Sequence, residues 1–158
     1  MVNFNMKLKN LLIPTLFLLS SSSALAECYI SYKGSVEIKD LISARKFVFD
    51  EYPKLCEKLK QNNAGLALTG TSQISPYQTT SAVVIALYPL DREKSGVTTG
   101  SEIWIGYEGE RTTSALRERM YSLTMHGLNE LSKNPNKLNE LFADVRSMRQ
   151  AQTGTRTK

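Results

Sequence analysis

One stretch of this chain leaves little freedom. Residues 80–88 read Thr-Ser-Ala-Val-Val-Ile-Ala-Leu-Tyr. In an extended backbone, successive side chains point to opposite faces. Val83, Ile85 and Leu87 therefore share one face, and Val84, Ala86 and Tyr88 the other. A strand that is apolar on both faces belongs in the middle of a sheet, with neighbours on either side. The flanking sequence offers them. Residues 65–71 are a short run of small side chains, and residues 101–108 alternate, with Ile103, Ile105 and Tyr107 opposed to Trp104 and Gly106. Residues 72–78 contain Ser75-Pro76, and residues 89–100 contain two glycines and four charges. Connections this short suit antiparallel hairpins, whereas parallel pairing needs a crossover of about a dozen residues or more, so the three strands are expected to form antiparallel hairpins.

Helices are expected on both sides of these strands. Residues 28–32 read as a short strand that ends at Lys33-Gly34. From Val36 the apolar residues Ile38, Leu41, Ile42, Val48, Phe49, Tyr52, Leu55 and Leu59 recur at helical spacings. Ser35 is suited to the N-cap, and Glu37 and Asp40 to the first turn. Pro53 lacks a backbone donor, which predicts a kink or a restart with Pro53 in the first turn. Further on, Leu116, Met120, Leu123, Gly127 and Leu131 make one stripe. Asn134-Pro135 stops it, and Leu138, Leu141, Phe142, Val145 and Met148 make another. The fold class is α+β, a three- or four-stranded, mainly antiparallel sheet packed on one face by an N-terminal helix and two C-terminal helices.

The first 26 residues read as a signal peptide. Lys7 and Lys9 precede the apolar run Leu11-Leu12-Ile13-Pro14-Thr15-Leu16-Phe17-Leu18-Leu19, and Ala24-Leu25-Ala26 supplies the small residues of a cleavage site, whether translation starts at Met1 or Met6. The run is too short to span a bilayer, which needs about 20 apolar residues. Cleavage between Ala26 and Glu27 leaves a single periplasmic domain at 27–149 and a basic tail at 150–158, expected to be disordered. Glu27 stands where lipid attachment to Cys28 would require a small residue. Two cysteines remain, Cys28 and Cys56, and an even number in an oxidising compartment predicts one disulfide. Without Lys7 and Lys9 there are 18 basic residues against 15 acidic ones, a net charge of +3. Arg146, Arg149, Arg156 and Lys158 carry the whole surplus, so no folded basic face is expected and nucleic acid is not an expected partner. A solubilising C-terminal end accounts for the charge.

The chemical inventory is thin. One histidine and two cysteines cannot build a zinc site from those ligands alone. His126 could act as a general base only beside a nucleophile and an orienting carboxylate, and no G-x-S-x-G elbow is present. Glu108 and Glu110 flank Gly109 and could pair in hydrolysis or metal binding, but a charged strand exit before a helix N-terminus, where acids are stabilised in any case, is the expected explanation. The glycines do not follow phosphate-loop order. No catalytic residue, cofactor or metal ligand is expected. Among the aromatics Tyr77, Tyr88, Trp104 and Tyr107, which ordinary sheet packing can also use, Tyr77, Trp104 and Tyr107 are the candidate partner-binding residues, because Tyr and Trp tolerate half-burial and anchor interfaces.

A family resemblance enters on a few residues. Leu68-Thr69-Gly70-Thr71, the strand through Val83 and Leu87, Leu90-Asp91 and Gly96-Val97 lie within a region from Leu55 to Leu131. That region resembles small periplasmic α/β modules of envelope assembly proteins: the periplasmic domain of the curli secretion channel, flagellum-associated outer-membrane proteins and the N-terminal domain of the Tol-Pal propeller protein. The resemblance implies a non-enzymatic assembly or binding module and carries over no functional residue. The function expected is that of an exported accessory protein that binds a protein partner in the cell envelope, through the sheet, a helix face or edge pairing at 65–71. The alternative is an inhibitor or immunity protein that blocks a cell-wall enzyme or toxin by inserting a loop, 72–79 or 92–100.

Overall fold

A computed structural model describes residues 28–91 and 96–153 of the chain. The expected leader at 1–26, residues 92–95 of the second candidate loop and residues 154–158 of the expected tail lie outside the described residues. The elements follow in the order β1 (Tyr32–Gly34), α1 (Val36–Arg45), α2 (Tyr52–Gln61), β2 (Ala64–Ile74), β3 (Thr79–Pro89), β4 (Glu102–Glu108), α3 (Thr113–Lys133) and α4 (Pro135–Thr153). This is the expected α+β class, with a four-stranded mixed sheet in the order β1-β2-β3-β4.

The strand that is apolar on both faces, β3, is central and antiparallel to both neighbours. Leu66 stands opposite Leu87, Leu68 opposite Ile85, and Val83 opposite Trp104. Leu66, Leu68, Val83, Ile85 and Leu87 have no exposed surface. They form the floor of the core, beneath Ile38, Leu55, Met120, Leu128, Leu138 and Val145 from the four helices. Each such burial stabilises the fold by about 2 kcal/mol. All these strand residues share one face of the sheet, so the helices lie on that side.

Three boundaries differ from the sequence reading. The first strand lies at Tyr32–Gly34 rather than 28–32, because the disulfide holds Cys28 against α2 and the chain reaches the sheet only afterwards. It pairs parallel to β2, with Tyr32 opposite Leu66, and the crossover through α1 and α2 is long enough for that. The N-terminal helix is two helices. Lys46 takes a positive φ of 65° and ends α1, and residues 46–51 carry Phe47 and Phe49 into an aromatic cluster. Ring centroids lie 5.2 Å apart for Tyr32 and Phe47, and 5.6 Å apart for Phe49 and Tyr52. Pro53 sits in the first turn of α2, as a restart requires. Finally, β2 is 11 residues long and internal over its first half, since β1 covers Leu66 to Leu68. The run at 65–71 is therefore not the free edge expected for strand pairing.

The Asn134-Pro135 stop falls where expected: the Asn134 side chain accepts the Lys137 N–H at 3.1 Å, so the residue that ends α3 also caps α4. Helix α4 continues through 150–153. Arg149, counted above in the basic C-terminal surplus, is pinned: its guanidinium donates to the Asn62 and Asn63 carbonyls at 3.1 and 2.7 Å and to Asp91 at 2.9 Å.

Candidate functional site

The three aromatic candidates do not converge. Tyr77 is 89% exposed at the tip of the β2–β3 hairpin, in a turn tightened by the Ser75 hydroxyl, which accepts the Gln78 N–H at 3.0 Å. Trp104 and Tyr107 lie on opposite faces of β4. Trp104 points to the helices, where its indole meets the His126 ring edge-on with centroids 4.8 Å apart. Tyr107 points away from them and is 58% exposed.

What the structure does assemble is a sheet face without helices. Lys33, Ala67, Val84, Ala86, Tyr88, Ile103, Ile105 and Tyr107 share it. At its β1 end the Lys33 ammonium lies over the Tyr88 ring, 4.3 Å from the centroid, and partial burial raises the pKa of the Tyr88 hydroxyl above its ordinary value. At the β4 end Ile103 and Ile105 are 62% and 56% exposed beside Tyr107. Alternation along residues 102–108 placed these three residues together, but only Tyr107 was singled out from sequence. Parity tells which side chains share a face and not which face the helices cover.

The other face of β4 forms a seam with α3, and two glycines set how closely they approach. A Cβ on Gly127 would lie 2.6 Å from Trp104 Cδ1 and 2.7 Å from Ile85 Cδ1, and one on Gly106 would lie 2.5 Å from Arg119 Nε. Helix α3 thus drops onto the indole, and the Arg119 guanidinium lies where a side chain on Gly106 would stand. Among the described residues, three buried side-chain polar atoms have no hydrogen-bond partner: Ser81 Oγ, Trp104 Nε1 and Arg119 Nε. Ser81 pairs with Gly106 across the strands, so all three belong to this seam. A buried donor left without an acceptor costs about 1–3 kcal/mol.

Open grooves flank Trp104 on either side. The larger, about 470 Å³, runs between Glu102, Glu130, Lys133 and Lys137, and its charges pair with one another. Glu102 lies 3.4 Å from Lys137, and Glu130 lies 3.0 Å from Lys133. The hydrogen bond to Glu102 raises the Lys137 pKa, and the one from Lys133 lowers that of Glu130. The smaller groove, about 390 Å³, is lined by Ile105, Arg119, Ser122 and His126. No described carboxylate comes within ion-pair distance of Arg119.

Glu108 and Glu110 are occupied locally. Glu108 accepts the Gly109 N–H at 3.0 Å, and Glu110 accepts the Thr112 hydroxyl at 2.8 Å. Thr112 in turn caps α3 by accepting the Ala115 N–H at 3.1 Å, the arrangement of a strand exit feeding a helix. Among the described residues no three His, Cys, Asp or Glu side chains group as metal ligands would. Of the second candidate loop, residues 98–100 are tied down. Thr98 is buried and accepts the Leu87 N–H at 3.0 Å, and Asp144 accepts the Gly100 N–H at 2.9 Å. The Thr69-Gly70 pair that carried the family resemblance lies inside β2. No family model, curated protein or solved structure matches the chain.

Proposed function

We propose that this chain is an exported, non-enzymatic protein of the bacterial periplasm that binds a protein partner of the cell envelope through the helix-free face of its sheet. The observation that carries the reading is the row Ile103, Ile105 and Tyr107, each more than half exposed on a face that no described helix covers. Contiguous exposed apolar surface rimmed by polar groups marks a protein-binding site more often than a solvated one. Here Thr69, Thr71 and Thr80 supply polar neighbours on the same face. Export is supported by the Cys28–Cys56 disulfide, since such bonds persist where thiols are oxidised.

The test is capture from envelope extracts with the purified protein and with Val84→Lys, which places a charge mid-face. Loss of one endogenous structural protein with Val84→Lys supports the reading, and capture unaffected by it refutes the face. The inhibitor alternative rests on Tyr77, held out on a rigid turn. It is favoured instead if the captured protein is a toxin or muramidase and Tyr77→Ala abolishes capture. A phenotype lost on replacing His126, Glu108 or Glu110 by Ala, with capture intact, would overturn the non-enzymatic assignment.

A further inference from the structure

We propose that β4 pairs antiparallel with β4 of a second copy, joining the two sheets into one of eight strands. Monomeric proteins defend edge strands with charged side chains, lysine above all, or with proline, a bulge or shortness, and the charges of β4, Glu102 and Glu108, stand only at its two ends. The edge strand β1 is only three residues long. The opposite edge, β4, runs seven residues in unbroken register with β3, with neither lysine nor proline between Glu102 and Glu108. No described segment covers its outer side, where alternate N–H and C=O groups point away from β3.

The second copy is the occupant that β4 itself specifies. Antiparallel partners that stand opposite one another share a face, so a two-fold axis through Trp104 sets Ile103 against Ile105 of the copy, twice, on the open face. On the helix side the same register places Glu102 of the copy opposite Gly106, the residue on which Arg119 lies. Each Arg119, with no carboxylate in ion-pair range among the described residues of its own chain, then receives one from the other chain at the outer nitrogens of its guanidinium. Because Glu102 already lies 3.4 Å from Lys137, the result is a reciprocal Lys137–Glu102–Arg119 chain on each side of the axis. The helices fit as well. Helix α3 lies over both β3 and β4. With strands about 4.8 Å apart, the two α3 helices would stand about 10 Å from each other across the joint, a normal packing distance. The small residue Ser122 lies on the facing side, where the smaller groove now runs. The open face stays free of helices and doubles in width, with Ile103 and Ile105 partly covered only at the joint, so this inference does not depend on the envelope partner.

Sedimentation of the purified, oxidised protein from about 1 μM to 1 mM reads the association directly. A reversible dimer is expected, weakened at least about tenfold by Ile105→Lys and by Arg119→Glu. Adding Glu102→Lys to Arg119→Glu is expected to restore most of the loss by reversing the ion pair, while leaving Ile105→Lys unrescued. Circular dichroism checks that each variant is folded; should Arg119→Glu not be, Ile105→Lys and Glu102→Lys alone carry the test. Val84→Lys, the variant that probes the open face, is expected to leave the dimer intact. A single-chain mass at every concentration, or a dimer indifferent to Ile105→Lys and to the folded charge variants, would overturn the proposal.

Discussion

At Gly127 two residue-level effects oppose one another. A glycine in mid-helix costs about 1 kcal/mol relative to alanine, so Gly127→Ala gains that much from propensity. The added Cβ, however, would meet Trp104 at 2.6 Å and Ile85 at 2.7 Å, and Ile85 is fully buried. The indole is rigid and the Ile85 terminal methyl is enclosed in the core, and overpacking of this kind costs about 1–3 kcal/mol. A net destabilisation of up to about 2 kcal/mol is therefore expected, read as a lower urea midpoint with unchanged slope. A more stable Gly127→Ala protein would mean that α3 does not rest on the indole. The sequence marks Gly127 as part of an apolar stripe, but the reason for a glycine there lies about 23 residues upstream, on another strand. The same holds for Arg119, whose seat on Gly106 has no local signature.

At the scale of elements, the Cys28–Cys56 bridge replaces contacts that the N-terminal segment cannot make for itself. The residues before β1 contribute Ile30 to the core, and their carbonyls accept the Tyr52 hydroxyl at Cys28, at 2.8 Å, and the Leu66 N–H at Ser31, at 2.9 Å. The bridge joins positions 28 residues apart in sequence, and closing such a loop stabilises the folded state by about 3.5 kcal/mol on the chain-entropy argument. Replacing both cysteines by serine is expected to lower stability by about that amount in guanidinium unfolding. A loss near zero would place the N-terminal segment's anchor elsewhere. The pairing was legible because two cysteines in a chain that reads as exported can pair only with each other. The break between α1 and α2 was not. The apolar spacing continues through Val48 and Phe49 as though the helix did, and what rewards turning the chain at Lys46 is tertiary: the aromatic cluster with Tyr32 and Tyr52 and hydrogen bonds between residues 46–51 and Tyr121, Met125 and Asn129 of α3.

For the whole molecule, one consequence of the proposed export can be weighed directly. Mass spectrometry of protein recovered from the periplasm is expected to give residues 27–158 less two hydrogens, with two more mass units after reduction. Protein that still begins at Met1 or Met6, or with both thiols open to alkylation, would remove the case for an envelope partner. The sheet with its helices on one side has a further consequence at this scale. Four helices gathered over one face leave the other to solvent or to a partner, and an antiparallel sheet tolerates that.

What the amino-acid order settles alone is whatever depends on near neighbours. The two-faced strand at β3, the hairpins around it, the proline restarts, and the parity that sets Ile103, Ile105 and Tyr107 apart from Trp104 are all of this kind, whereas the Ser35 hydroxyl, expected to cap α1, accepts the Gly70 N–H of β2 instead. Side-chain alternation, helical spacing and a missing backbone donor act within a few residues. Which face of β4 the helices cover, which strand is left at the edge, and why glycines lie under Trp104 and Arg119 were decided only when distant segments met. Those choices turn on contacts between residues far apart along the chain, where no local pattern records the partner.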